Sequence, residues 1–210
     1  MRVEPSTEKD RRTLTELLRD FFRWFLDPLA GFLNRLGLYP NTITIAGLVG
    51  TAIGSFFVAR GNFLVGGLIL LAIGPVDALD GSMARLRGEA SDFGAFVDSV
   101  TDRYSELIIL GGLLAHYVIE DDALLAGLVF LAASGTVLVS YTRARAESLG
   151  FEAKVGILTR VERYVVLIPS ILLGYPHVGL AIVALLANIT ALQRILAVRR
   201  QARRRQRDTQ

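Results

Sequence analysis

The sequence predicts an all-α integral membrane protein: six transmembrane helices preceded by an N-terminal amphipathic helix lying in the membrane interface. Three observations predict it. Of 210 residues, 52% are hydrophobic and the mean hydropathy is +0.45, too apolar for an ordinary soluble domain. The apolar residues come in blocks, each near the roughly 20 residues that a helix needs to cross a bilayer. Lys and Arg gather on alternate connections between those blocks, as in a chain that passes back and forth through a membrane.

Residues 1–38 are read as a polar tail and the interfacial helix. From Leu14 the apolar positions Leu14, Leu17, Leu18, Phe21, Phe22 and Phe25 keep three-four spacing. Arg12, Glu16, Arg19, Asp20 and Arg23 fall on the other side. Trp24 and the phenylalanines are expected to dip into lipid. The pattern runs on through Leu29, Phe32, Leu33 and Leu36, past Pro28, which is expected to break or kink the helix because it lacks a backbone donor. No cleavable signal peptide is expected at the start.

Residues 39–198 are read as the six-helix domain. Pro40-Asn41-Thr42 opens the first span, 41–59, with proline where a helix start tolerates it. After the turn Arg60-Gly61-Asn62, the second span runs from 63 to the aspartates at 77–80, loosened by Gly74-Pro75. The third covers 92–119, the fourth 123–144, the fifth 160–174 and the sixth 177–196, and residues 199–210 form a basic tail.

With six spans, the turns at 60–62, 120–122 and 175–177 share one side and hold one basic residue, Arg60. The other side receives Arg85, Arg87, Arg143, Arg145, Lys154, Arg160 and the tail arginines, and the positive-inside rule makes it cytoplasmic. The expected location is therefore the cytoplasmic membrane, multi-pass, with the aspartates toward the cytoplasm. The absence of cysteine excludes disulfides and thiolate chemistry. His116 and His177 lie at the far ends of their segments, so any general base is expected to be a carboxylate.

The chemistry is concentrated in residues 77–102. Asp77 and Asp80 are three apart and Asp98 and Asp102 four apart, so on helices each pair shares a face. Four carboxylates brought together in a region of low dielectric need cations between them. Oxygen donors alone suit a hard divalent ion, Mg²⁺ or Mn²⁺, and four carboxylates suffice for two ions clamping a phosphoryl group. Gly81, Ala84 and Gly94 keep the neighbouring surface open, and Arg85 offers a fork for phosphate oxygens. Ionisable residues in the otherwise apolar third helix point to function.

The pattern D-x2-D-G-x2-A-R-x8-G-x3-D-x3-D, intact here from Asp77 to Asp102, resembles the signature of the CDP-alcohol phosphotransferases. That resemblance implies six membrane helices, a cytoplasmic-side site and a homodimer. It implies that Asp77, Asp80 and Asp98 bind metal, and that Asp102 deprotonates the acceptor hydroxyl while also near a metal. Gly81, Ala84, Arg85 and Gly94 would line the pocket for the CDP-linked lipid. Pro40-Asn41-Thr42-Ile43-Thr44 resembles the family's nucleotide-contacting helix start, which adds Asn41 and Thr44 to that pocket. The implied reaction is attack of an alcohol on the lipid-side phosphorus of CDP-diacylglycerol, with release of CMP.

A second stretch, Ser140 to Glu147 and Thr159 to Arg163, carries many arginines beside a site already positive with metal, which suggests an acceptor bearing its own phosphate. It resembles the corresponding part of bacterial phosphatidylinositol phosphate synthases and their archaeal ether-lipid relatives, whose acceptor is inositol 1-phosphate. By that likeness Ser140, Arg143, Arg145, Arg160, Arg163 and Arg194 would meet the acceptor phosphate. Glycerol 3-phosphate is the alternative acceptor, and an ion-coupled transporter is the reading from a different class. Arg103 and Glu106, three apart in the third helix, are expected to form an intramembrane pair or a subunit contact, with no catalytic role. The tail arginines are read as an orientation signal that touches anionic lipid, and nucleic acid is not expected as a partner.

Overall fold

The computed structural model describes residues 27–88 and 91–208, the side chains of Asp77, Ala78 and Asp208 excepted. The interfacial helix expected before residue 27 lies outside the described residues. Residues 27–35 form α1, followed by α2 (Pro40–Ala59), α3 (Phe63–Ile73), α4 (Val76–Arg87), α5 (Asp92–Ile119), α6 (Ala123–Ser148), α7 (Arg160–Leu172) and α8 (Pro176–Asp208).

Local chemistry sets these boundaries. Pro40 occupies the first turn of α2, where a missing N–H costs nothing. The side chains of Asn62, Ser91 and Asp122 accept the free backbone N–H groups of Val65 (3.3 Å), Gly94 (3.1 Å) and Leu125 (2.9 Å), starting α3, α5 and α6. Glu162 reaches back to accept the Thr159 N–H at 2.7 Å and so fixes the start of α7. Gly74-Pro75 separates α3 from α4, and α4 stops at Gly88, whose φ of 68° suits glycine.

Among the described residues, three helices are long and apolar enough to cross a membrane: α2, α6 and the Pro176–Arg207 part of α8. The 11 residues of α3 and 13 of α7 rise about 16 and 20 Å, short of the roughly 30 Å hydrocarbon layer. The 28-residue α5 is long enough but carries Asp98, Asp102, Arg103 and Glu106. The outer surface is apolar in the way lipid contact requires. Ile45, Val49, Ile53 and Phe56 line one exposed face of α2, and Phe130 on α6 is 72% exposed.

Packing joins α2 to α3, α4 and α5, α6 to α5 and α8, and α7 to α3 and α8. The buried centre is built from Val58, Leu70, Ile109, Leu110, Leu113, Val129, Ile171, Leu180 and Val183. Small residues let the backbones meet: a Cβ on Gly112 would stand 2.6 Å from the Ser55 carbonyl oxygen of α2. A smaller cluster of Ala30, Leu79 and Met83 seats α1 against α4. There Arg87 donates from Nε to Asn34 Oδ1 (2.7 Å) and from Nη2 to the Leu38 carbonyl (2.6 Å), while Asn34 Nδ2 donates to the Met83 carbonyl (3.2 Å).

The crossing of α2 and α5 makes a direct prediction. Gly112→Ala should cost about 1–3 kcal/mol of stability, the usual penalty for overpacking. Gly111→Ala, where a Cβ meets nothing within 4 Å, should leave the unfolding midpoint in detergent unchanged. Equal midpoints for the two variants would contradict the close approach.

Candidate active site

Asp80 comes from α4 and is buried, 6% exposed. A carboxylate so placed needs donors. Thr44 Oγ1 on α2 donates to its Oδ2 at 2.5 Å, and the Gly81 N–H donates to its Oδ1 at 2.5 Å. Since α2 packs on both α4 and α5, it sets the position of Asp80 relative to the acids of α5. Thr44, expected at the nucleotide, thus orients a carboxylate, while Asn41 is exposed at the start of α2.

Beside Asp80, Gly81 is half-buried. A Cβ on Gly81 would meet only Arg85 Nη1, at 3.5 Å, so packing within the protein does not demand glycine there. Open space beside a buried carboxylate is what a ligand pocket requires. Ala84 is half-buried, and Arg85 is exposed with Nη2 on Ser82 Oγ at 2.8 Å. Gly94 lies in the first turn of α5, where a Cβ would come 3.2 Å from Ser91 Oγ.

Asp98 and Asp102 lie one turn apart on α5, Asp98 exposed and Asp102 half-buried. Asp102 Oδ1 is 2.5 Å from Arg160 Nη1, and Asp102 Oδ2 is 3.7 Å from Arg103 Nη1. The Arg160 guanidinium also covers the Tyr164 ring at 5.3 Å. The structure therefore brings together the expected base and one of the expected phosphate ligands. The side chain of Asp77 is outside the described residues, and among the described residues no three His, Cys, Asp or Glu side chains stand together as a metal site. The donors of Asp80, Asp98 and Asp102 are all carboxylate oxygens, and a Cβ at Gly81 would have room. That donor chemistry fits a hard divalent cation.

The other expected phosphate ligands divide into two groups. Ser140 is half-buried and Arg143 and Arg145 are exposed on the last turns of α6. Arg143 Nε pairs with Glu147 Oε1 at 2.9 Å, and Arg145 Nη1 donates to Ser148 Oγ at 3.4 Å. Arg163 and Arg194 are instead buried on protein partners. Arg163 donates from Nε and Nη2 to the two Glu106 oxygens (2.5 and 2.9 Å) and from Nη1 to the Leu158 carbonyl (3.3 Å). Arg194 donates from Nη1 to the Val139 carbonyl (2.5 Å) and from Nε to the Val155 carbonyl (3.0 Å). The expected Arg103–Glu106 pair is corrected: Glu106 is engaged by Arg163, and Arg103 turns to Asp102 and the Ser99 carbonyl. The bundle interior offered Glu106 a two-pronged, buried partner on α7, which outcompetes a half-exposed neighbour on its own helix.

Residues that the sequence did not single out complete the scaffold. Thr190 Oγ1 accepts the N–H groups of Ile157 (3.3 Å) and Leu158 (3.2 Å), so α8 holds the 149–159 connection that leads into Arg160. A buried threonine on an apolar helix was the available signal, since such a hydroxyl needs a partner.

Residues 37–197 match the CDP-alcohol phosphatidyltransferase family. The phosphatidylinositol phosphate synthase of Streptomyces avermitilis is 37% identical over 206 residues, covering 90% of this chain and 84% of that protein. The archaetidylinositol phosphate synthase of Methanothermobacter thermautotrophicus is 38% identical over 186 residues, covering 86% and 91%. Crystal structures of Mycobacterium tuberculosis phosphatidylinositol phosphate synthase superpose with a TM-score of 0.77 at 29% identity, covering 82% of this chain. One has CDP-DAG bound and covers 92% of that chain; the other, in complex with manganese and citrate, covers 88%.

The Glu106–Arg163 pair yields a stability prediction. Glu106→Ala strands a guanidinium in the interior and should cost about 3–5 kcal/mol, whereas Glu106→Leu combined with Arg163→Met should cost clearly less. Thermal unfolding in detergent reads both, and a double variant as damaged as the single one would contradict the pairing.

Proposed function

Because the chain belongs to the CDP-alcohol phosphatidyltransferase family, we propose that it transfers the phosphatidyl group of CDP-diacylglycerol to a hydroxyl of an inositol phosphate. The products are phosphatidylinositol phosphate and CMP. The names of the relatives from Streptomyces avermitilis and Methanothermobacter thermautotrophicus support the inositol phosphate acceptor, and the CDP-DAG complex of the Mycobacterium tuberculosis protein supports the donor. The observation that carries the reading is the 2.5 Å contact of Arg160 with Asp102. An acceptor anchored by its phosphate on Arg160 has its hydroxyl beside the carboxylate that takes the proton.

In this reading Asp77, Asp80, Asp98 and Asp102 hold divalent metal, Mg²⁺ or Mn²⁺, as two ions. The metal neutralises the diphosphate of the donor and the charge that develops on departing CMP. Thr44 and the Gly81 N–H keep Asp80 in the orientation this needs. Asp102 accepts the hydroxyl proton as the new O–P bond forms and the bond to the CMP phosphate breaks. Asn41, Gly81, Ala84, Arg85 and Gly94 bound the space for the CDP-lipid. Ser140, Arg143, Arg145 and Arg160 face the acceptor phosphate, with Arg143 leaving Glu147 to do so. Arg163 and Arg194 act one step back, as positioning residues for the connection that precedes Arg160.

The same reading gives six crossings, counting α3 and α4 as one path interrupted at Gly74-Pro75. The turns at 60–62, 120–122 and 173–175 then lie outside, and the carboxylates face the cytoplasm across the cytoplasmic membrane. Burial between helices lets the lipid tails enter sideways from the bilayer. The working unit is a homodimer, which light scattering of the detergent-solubilised protein checks.

Purified protein supplied with labelled CDP-diacylglycerol, Mg²⁺ and competing acceptors should convert inositol 1-phosphate. Reaction of glycerol 3-phosphate alone would overturn the acceptor assignment. Asp102→Asn should lower CMP release by roughly 10²–10⁴-fold, the usual range for loss of a general base. Arg160→Ala should raise the KM for the phosphorylated acceptor more than that for the CDP-lipid, and equal effects on both would contradict its place at the acceptor.

A further inference from the structure

The last turns of α8 have two faces that do different things. One face grips the 149–159 connection. Gln201 Oε1 accepts the Glu152 N–H at 3.0 Å, Gln201 Nε2 donates to the Glu152 carbonyl at 2.6 Å, and the Arg205 guanidinium covers the Phe151 ring at 5.3 Å. With Arg194 on Val155 and Thr190 on Ile157 and Leu158, α8 holds that connection along its whole length, up to the start of α7. The other face is basic. At 3.6 residues per turn, Arg199, Arg200, Arg203, Arg204 and Arg207 fall within about 140° of arc, and Gln201 and Arg205 point away from it. All five are exposed.

The position of this basic face along the helix matters as much as its charge. The 33 residues of α8 rise about 50 Å, against roughly 30 Å of hydrocarbon and 40–45 Å including headgroups. A helix that enters at Pro176 leaves the hydrocarbon after about 20 residues, so Arg199 to Arg207 stand at headgroup depth. Five guanidiniums at that depth complement a layer of phosphate anions, with each cation near such a surface worth about 1 kcal/mol. A guanidinium also forks onto phosphate oxygens.

We propose that this five-arginine face of α8 is a docking surface for the headgroups of anionic phospholipids. Through Gln201 and Arg205 on the opposite face, the docked lipid holds the 149–159 connection in place. Anionic lipid thereby orders the approach to Arg160. The consequence for acceptor binding rests on the function proposed above, but the docking and the ordering do not.

The test uses the full chain in nanodiscs of phosphatidylcholine, with or without phosphatidylglycerol. The protein has no cysteine, so Gln206→Cys carries a single fluorophore beside the basic face. Brominated phosphatidylglycerol should quench it several-fold more than brominated phosphatidylcholine, and raised salt should erase the difference, since exposed charges are screened. Changing the five arginines to glutamine should abolish the preference. Amide hydrogen exchange across 150–158 should slow several-fold when phosphatidylglycerol is added. Gln201→Ala should remove that slowing while keeping the quenching preference.

Equal quenching by the two lipids, or a preference that survives both salt and the glutamine variant, would overturn the docking surface. Exchange in 150–158 that ignores phosphatidylglycerol would overturn the link to the connection. Neither readout involves acceptor or turnover, so a failure here is distinct from a failure of the proposed reaction.

Discussion

A charge inside an apolar bundle must be answered by another charge held in good geometry, and the Glu106–Arg163 pair answers that requirement. Both residues are buried, and both carboxylate oxygens and three guanidinium nitrogens are used. Because Arg163 also donates to the Leu158 carbonyl, the pair fixes α7 against α5 and locates the end of the 149–159 connection in one step. Arg160 sits one turn earlier on the same helix, so its reach to Asp102 on α5 depends on that registration. Breaking the pair would disturb the placement of Arg160 against Asp102 without touching either residue.

The same logic explains why the polar half of the molecule is dense with backbone contacts made by side chains. Arg194, Thr190, Gln201 and Arg87 each spend a donor or acceptor on a main-chain group of a connection. A connection between membrane helices has backbone N–H and C=O groups that lipid cannot satisfy. Side chains from neighbouring helices supply the partners, and in doing so they convert loops into rigid supports. The result is that Arg160 of α7 and Asp102 of α5 meet at a position set by the helices.

An enzyme of this kind also has to keep lipid and water-soluble substrates in one pocket. The family to which the chain belongs acts on a donor whose tails stay in the bilayer while its nucleotide is polar. The faces of α2 and α6 are apolar and exposed, and Gly81 leaves room beside the buried Asp80. Asp80 is held by Thr44 from the neighbouring helix.

Helix limits were legible from the sequence because they are set locally. Pro40, Asn62, Asp122 and Gly74-Pro75 act within one turn of themselves, and each marks a boundary in the structure where its chemistry says it should. The spacing of the four aspartates and the identity of the family were legible for the same reason, as both lie in a short contiguous stretch. Which way each side chain turns was a different matter. Glu106 chose Arg163, 57 residues on, over Arg103, and Arg194 turned to the backbone rather than outward. Those choices depend on the rotation and depth of whole helices against one another, which no local spacing encodes. The sequence by itself determined the helical, membrane-spanning character of the chain and the family it belongs to, because both are written in composition and in one contiguous motif. Only the packed structure decided which arginines are buried on protein partners and which reach Asp102, because that depends on how whole helices pack.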